Sequence, residues 1–424
     1  MLQVQFIREN QLEAIKGLKK KLFPNAEQVV SDILQLDSQR RQIQKQQDDK
    51  LAHSNQLSKE IGLLMKAGKK DEAEQLKQEA KNLSDEAKIL VEQVSVLEEK
   101  LRNLLLTVPN LPSKFVPEGR DSDDNEIVYH HGKAPVLPET ALPHWELIVK
   151  YDIIDFELGN KVTGAGFPFY KGKGAKLQRA LINFFLDEAE KAGYKEVQPP
   201  ILINKDSGFG TGQLPDKDGQ MYHATQDDLY LIPTAEVPIT NMYRDVIIEA
   251  KDLPIKNVGY TPCFRREAGS WGADVRGLNR LHQFDKVEIV QIQHPEDSYA
   301  TLEEMRTYVQ GLLEKLELPY RVLKLCGGDM SFTSAFTYDL EVYSAAQKRW
   351  LEVSSVSNFE TYQAHRLKLR YRGEDKKIHL LHTLNGSALA LPRIMAAILE
   401  NNQTEKGISI PEVLQPYTKF EIIS

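Results

Sequence analysis

The chain has 424 residues, 41% of them hydrophobic, and a formal net charge of −7. That length suits two domains with a sizeable core. The acidic balance argues against a protein that coats polyanions wholesale, without excluding local basic patches.

Residues 26–106 have a character of their own. A first run places Val29, Ile33, Leu36, Ile43, Leu57, Ile61 and Leu64 in alternating steps of four and three, with Arg40, Gln47, Lys50 and Ser54 filling the middle of the seam. A second run keeps the step through Leu76, Ala80, Leu83, Ala87, Leu90, Val94, Leu97, Leu101 and Leu104. This is the coiled-coil heptad. Between the runs, Gly68 marks a turn. Helices joined so closely lie antiparallel. Each spans about 35 to 40 residues, ~50 to 60 Å at the rise of an α-helix. Such a hairpin is either a self-associating coiled coil or a rigid arm, and the polar middle of its seam leans toward an arm.

Pro109, Pro112 and Pro117, with an acidic cluster, make residues 111–125 a linker between a domain at 1–110 and another at 126–424. The second domain mixes helices such as AKLQRALINFFLDEAEKAG with short strands in KEVQPPILIN, DLYLIPT and DKVEIVQI. The two do not alternate regularly, which predicts an α+β domain around an antiparallel sheet. GAGFPFYKGKGAKL lacks the G-x-x-x-x-G-K-[ST] order of a phosphate loop and reads as a lead into the first helix of this domain. Cys263 and Cys326 form no disulfide framework or zinc pattern, which suits a reducing cytoplasm. The first residues show no signal-peptide pattern, and no apolar run reaches the ~18 residues of a membrane span.

The chemistry concentrates in FRREAGSWGADVRGLNRLHQFDKVE, residues 264–288. Side chains alternate across a strand. Arg265 and Glu267 therefore share one face, Phe284, Lys286 and Glu288 share another, and Arg266 points away. If the strands pair, one floor carries carboxylates, cations and a ring. Such charges either neutralise each other or wait for a ligand. Three more stretches add polar groups: Thr234 and Glu236 in IPTAEVPIT, Glu352, Ser354 and Ser355 at a strand end in WLEVSSVSNF, and Asn385, Gly386 and Ser387 at the opening of a helix that carries Arg393.

Over nearly its whole length, the hairpin included, the sequence resembles the seryl-tRNA synthetases, a family of class II aminoacyl-tRNA synthetases. GYKEVQPP resembles class II motif 1, FRRE…RGLNRLHQFDKVE motif 2 and LNGSALALPR motif 3; PTAE, GTGQLP, HQFDKVE and EVSS resemble the serine family in particular. The resemblance implies an N-terminal antiparallel two-helix coiled-coil arm and a catalytic domain with a six- or seven-stranded antiparallel sheet flanked by helices. It implies a homodimer that binds tRNA(Ser), and tRNA(Sec) where that exists, with the arm gripping the long variable arm of the tRNA. The implied reaction is activation of L-serine by ATP with Mg²⁺.

The family's residue roles carry over as implications. Arg265 would bridge the α-phosphate and the serine carboxylate, and Arg393 would clamp the triphosphate; these two are the catalytic candidates. Glu267 would accept from the adenine amino group, Phe284 would stack on adenine, backbone near Leu281 would frame it, and Arg280 would reach the γ-phosphate. Arg266, Val353 and Ser354 complete the ATP-binding stretches. Glu352 and Ser355 would hold Mg²⁺. Thr234 and Glu288 would read the substrate's amino group and hydroxyl, with Ala235 and Glu236 beside them and Asn385 and Ser387 closing the serine pocket. The chemistry agrees: joining two anions needs fixed cations and a metal, and guanidinium forks suit phosphate and carboxylate. Two positions depart from the family's usual residues: Ala273, in the loop expected to touch the tRNA acceptor end, and Val356, beside the metal-site serine. The competing reading is an adenylating relative that serves a carrier protein or a regulatory role.

Overall fold

The structure, a computed structural model, describes residues 1–216, 218–267 and 276–424. It falls into two compact units, Met1–Lys19 with Phe23–Pro109, and Lys20–Leu22 with Asn110–Ser424. No helix among the described residues is long and apolar enough to cross a membrane.

The first unit is helical: α1 (Val4–Glu9), α2 (Gln11–Lys20), α3 (Ala26–Lys66) and α4 (Lys70–Leu106). Helices α3 and α4 pack along their lengths, and Gly68 takes φ +79° in the turn between them, a conformation a side chain would strain. On α4 the heptad shows directly, with Ala73, Ala80, Ala87, Val94 and Leu101 buried at successive seven-residue steps. On α3 the polar middle of the seam is used. Lys50 pairs with Glu86 of the facing helix, and the Ser54 hydroxyl donates to the carbonyl of Ala80 at 3.1 Å. The buried seam at the start of α3 runs one residue later than expected at two positions, on Val30 rather than Val29 and on Asp37 rather than Leu36. Leu36 is only partly buried, and its neighbour Asp37 is the buried residue, 2% exposed. The reason is that α1 packs on α3 here and supplies Arg8, 2.8 Å from Asp37, while Arg40 and Arg41 reach the same carboxylate at 3.2 and 3.0 Å.

The second unit is built on a sheet of eight strands. In chain order they are β1 (Glu126–His131), β2 (Lys195–Glu196), β3 (Ile255–Phe264), β4 (Gln283–Gln293), β5 (Tyr320–Lys324), β6 (Phe336–Ser344), β7 (Arg349–Asn358) and β8 (His382–Ala390), and their order across the sheet is β1-β5-β6-β7-β8-β4-β3-β2. All neighbours run antiparallel except β2, which joins the edge parallel to β3. Four helices matter to the site: α5 (Gly172–Lys191), α6 (Glu236–Asn241), α7 (Ser298–Lys315) and α8 (Leu391–Asn401). The apolar sides of α5, α7 and α8 share one core with the sheet, Leu181 and Phe185, Met305 and Val309, and Met395 and Ile398 lying in the same cluster as Val287 and Ile289 of β4. Alternation then turns Lys286 and Glu288 away from that core.

Burial pushes the Asp37 carboxyl up, but hydrogen bonds from Arg40 and Arg8 outweigh it and hold the group below the usual carboxylate range. A lowered acid stabilises the fold above its unfolded pKa, and that contribution is lost as the pH falls through its folded value. Asp37→Ala should lower hydrogen-exchange protection of α3 by about 1–2 kcal/mol at neutral pH. The difference from the parent should vanish well below pH 4, the ordinary range of the carboxyl; a difference that persists there would rule out the ionic origin.

Candidate active site

The site grows from the β3–β4 pair. Phe284 lies opposite Cys263, Lys286 opposite Thr261, and Glu288 opposite Gly259. Arg265 stands just past the end of β3, where its N–H still bonds the carbonyl of His282 at 2.9 Å. Gly259 has to be small: a Cβ there would lie 2.8 Å from Ile239 of α6 and 2.9 Å from the carbonyl of Val197. The bare backbone lets α6 approach, and that brings Glu236, its first residue, into the pocket with Glu288.

Two bulges place the remaining groups. Leu340 pairs with Ser354 but Glu341 pairs with Glu352, so Val353 is an extra residue in β7. A bulge resets the alternation. Glu352 and Ser355, three apart, therefore share a side, the Ser355 hydroxyl 3.3 Å from a Glu352 carboxylate oxygen. Both lie within β7 and not at its end. In β8, Lys286 pairs with Ala390 but Glu288 pairs with Ser387, which sets Ser387 directly across from Glu288. Asn385, Gly386 and Ser387 thus belong to a strand; the helix that carries Arg393 begins only at Leu391.

One side of the site is closed and polar. Lys286 Nζ lies 2.8 Å from Thr234 Oγ1 and 2.6 Å from Glu288 Oε2. The Ser387 hydroxyl is 3.3 Å from the same Glu288 oxygen. Gln363 donates to Glu236 at 2.6 Å, and Asn385 bonds it as well. Burial, and then the charge of Glu288, push the Glu236 carboxyl up to about 7.

The other side is more open and carries the cations. The Arg265 guanidinium lies 5.1 Å over the Phe284 ring and donates to the Pro233 carbonyl at 3.3 Å. Glu267, at φ +50°, turns to meet Arg280 at 3.3 Å. Arg393 bonds the Asn279 carbonyl at 3.0 Å and the Glu352 carbonyl at 2.7 Å, with the Glu352 carboxylate 3.7 Å away. Arg266 points elsewhere, onto the Tyr222 ring at 5.0 Å and the Met221 carbonyl at 3.1 Å, as alternation requires.

Most of the expected residues thus converge, and a few can take part only through backbone. Val353 and Ser354 are 1% exposed, and the Ser354 hydroxyl is committed to the Ser387 carbonyl at 2.6 Å. Ala235 and Leu281 are buried too. Val356 is fully buried against Gly386, so its departure from the family changes packing and not the ligand face. Ala273 lies outside the described residues. Three residues to which the resemblance gave no role also join the site. Lys286 was visible in the alternation of HQFDKVE. Gln363 and Asp339 come from elsewhere in the chain; Asp339 faces Ser355 across β6 and β7 and bonds it, while its Oδ1 is buried with no hydrogen-bond partner.

Comparison with known proteins decides the family. The model described as "tRNA synthetase class II core domain (G, H, P, S and T)" matches residues 221–402, and that described as "Seryl-tRNA synthetase N-terminal domain" matches residues 1–112. The serine–tRNA ligase of Salinibacter ruber is 50% identical over 99% of this chain and 98% of its own length. The chain belongs to the seryl-tRNA synthetase family. Its activity is that of a serine–tRNA ligase, activation of L-serine with ATP and transfer of the seryl group to tRNA. The serine–tRNA ligase of Caldicellulosiruptor saccharolyticus is 49% identical, with all of both chains covered. Among solved structures, the seryl-tRNA synthetase from Pyrococcus horikoshii complexed with ATP superposes with a TM-score of 0.93 at 34% identity, covering 100% of this chain and 99% of that one. A class II synthetase core together with a seryl-tRNA synthetase N-terminal domain leaves the carrier-protein alternative unfavoured.

A carboxyl raised by burial binds its proton more tightly when folded. It costs nothing below its unfolded pKa, and stability falls as the pH rises from there to the folded value. For Glu236 that window runs from its ordinary 4.5 to about 7. Glu236→Gln should therefore be more stable than the parent above pH 7, by about 3 kcal/mol. Denaturant titration at two pH values measures this, and an equal or lower stability at pH 8 would contradict it.

Proposed function

We propose that serine activation runs between the two sides of this site with Arg265 as the bridge. One observation carries the reading: the Arg265 guanidinium sits at once over Phe284 and against Pro233, the residue before Thr234. A group so placed can hold the serine carboxylate and the α-phosphate together. The carboxylate oxygen attacks the α-phosphorus, the bond to pyrophosphate breaks, and seryl-adenylate forms. A ribose hydroxyl at the tRNA 3′ end then attacks the carbonyl carbon and AMP leaves. No side chain has to accept a proton in the first step, so alignment and charge stabilisation supply the rate.

Phe284 offers its ring to adenine, and Glu267 an acceptor for the adenine amino group. Arg280 and Arg393 face the β- and γ-phosphates. Thr234, Glu236 and Glu288 take the ammonium group of serine, and Asn385 and Ser387 its surroundings. A pocket whose buried polar groups need a hydroxyl partner rejects amino acids without one.

Glu352 and Ser355 would hold Mg²⁺. The donors fit: hard oxygen atoms on one side of β7, with the unsatisfied Asp339 Oδ1 behind them. So few protein ligands suit a cation that completes its shell with water and phosphate. When bound, Mg²⁺ offsets the charge that builds on the phosphates.

The hairpin α3–α4, ~60 Å long at the rise of an α-helix, serves as the tRNA arm. Its form suits RNA, which is read by shape and backbone more than by base edges. The acceptor is tRNA(Ser), and also tRNA(Sec) where the cell makes it. The enzyme works as a homodimer in the cytoplasm. The exposed apolar residues of edge strand β1, Ile127, Val128 and Tyr129, support a partner on that edge.

Two variants test the division of labour. Arg265→Ala should lower serine-dependent ATP–pyrophosphate exchange by at least about 10²-fold; full exchange would remove Arg265 from the reaction. Deleting residues 30–100 should spare exchange and abolish charging of total tRNA with labelled serine; undiminished charging would take the tRNA from the arm.

A further inference from the structure

Lys286 needs no contact with serine or ATP in this mechanism, yet it is the most buried cation in the site. Its side chain is 7% exposed and lies beside the 3%-exposed Glu288. Its ammonium bonds Thr234 Oγ1 and Glu288 Oε2, two of the acceptors that would take the ammonium of serine. Glu236 completes the set at the N-terminus of α6, itself 8% exposed.

The remaining groups around Lys286 are accounted for by element. Along β4 it has Glu288. From β3 come Thr261 and the Cys263 thiol, which burial pushes up. From β8 come Asn385 and Ser387, which are neutral, and from the segment before α6 and its first turn come Thr234 and Glu236. Arg265 stands at the mouth and is matched to the substrate carboxylate. Among the described residues, the inner pocket therefore holds two carboxylates and one fixed cation.

We propose that Lys286 sets the charge of the amino-acid pocket, offsetting one of the two buried carboxylates so that a single negative charge is left for a single ammonium group. It acts through Glu288, Glu236 and Thr234, and is a positioning residue. Two buried carboxylates without a cation do not both stay ionised; one takes up a proton. Substrate would then have to expel that proton to place its ammonium. With Lys286 present, the inner pocket at −1 and Arg265 at +1 mirror the two charges of an amino-acid zwitterion. A merely structural lysine would not need these partners, since an apolar side chain of the same length fills a buried site as well or better.

The inference rests on the reading of this pocket as the serine site, so the test separates the two. Serine affinity is measured by calorimetry on the full chain between pH 7.5 and pH 8.5, above the Glu236 carboxyl at about 7 and below the titration of free serine's own ammonium, in two buffers of different ionisation enthalpy. The parent and Lys286→Arg should bind with affinity nearly independent of pH and release almost no proton. Lys286→Met should bind at least tenfold more weakly at pH 8, tighten toward about tenfold per pH unit, and release close to one proton per serine. Lys286→Met/Glu236→Gln, which restores one negative charge, should lose that proton release and recover affinity, and it serves where the single variant does not fold. Serine bound by Lys286→Met with no extra proton release, or a double variant no better than the single one, overturns the assignment. Glu288→Gln is the control: parental serine affinity there would overturn the pocket reading itself, whatever the lysine variants do.

Discussion

Three ionisable side chains buried at one place on the central sheet set the terms for everything around them. Lys286 and Glu288 share a face of β4, and Glu236 is carried to them by α6. Burying a charge is tolerable only when partners replace its water. The site supplies those partners without exception: Thr234 for the lysine, Ser387 for Glu288, Gln363 and Asn385 for Glu236. Each partner must then be held in place by its own element, and so the fold around the pocket is constrained by electrostatics as much as by packing. The bare backbone of Gly259, which lets α6 come near, is one consequence.

The same sheet shows how a regular element is made to carry an irregular site. Strict alternation would put Glu352 and Ser355 on opposite sides and Ser387 out of step with Glu288. The extra residue in β7 and the shifted register in β8 remove both conflicts. Bulges keep the ladder on either side intact while turning a chosen side chain. The residues displaced by this, Val353 and Ser354, go into the interior, one packed and one bonded to a carbonyl. Beyond the sheet, the cations stand on the loop after β3 and on the first turn of α8, where they meet the more open side of the site from two directions.

The helical unit solves a different problem. Its two long helices bury alanines on α4, which brings the backbones close, and polar residues on α3, which bond across the seam. Polar seam positions give up stability and fix register. Near its base a carboxylate, Asp37, takes a position that the heptad would give to a leucine, because α1 delivers an arginine to it. The hairpin is thus defined in register by polar bonds across its seam as well as by packing.

Periodicity determined much of this from the sequence alone. The heptads of residues 26–106 encode two helices and their turn, since seven-residue spacing and Gly68 have only one compact solution. Alternation in HQFDKVE put Phe284, Lys286 and Glu288 on one face and turned Arg266 away, because a strand leaves no other choice. What the sequence could not carry is whatever depends on register or on distant partners. The burial of Asp37 in place of Leu36 depends on α1. The shared side of Glu352 and Ser355 depends on a bulge, and the place of Asn385 and Ser387 in a strand depends on pairing with β4 and β7. Asp339 and Gln363 reach the site through neighbours far away in the chain. Local pattern fixes which side chains can face a ligand; only tertiary pairing decides which of them meet.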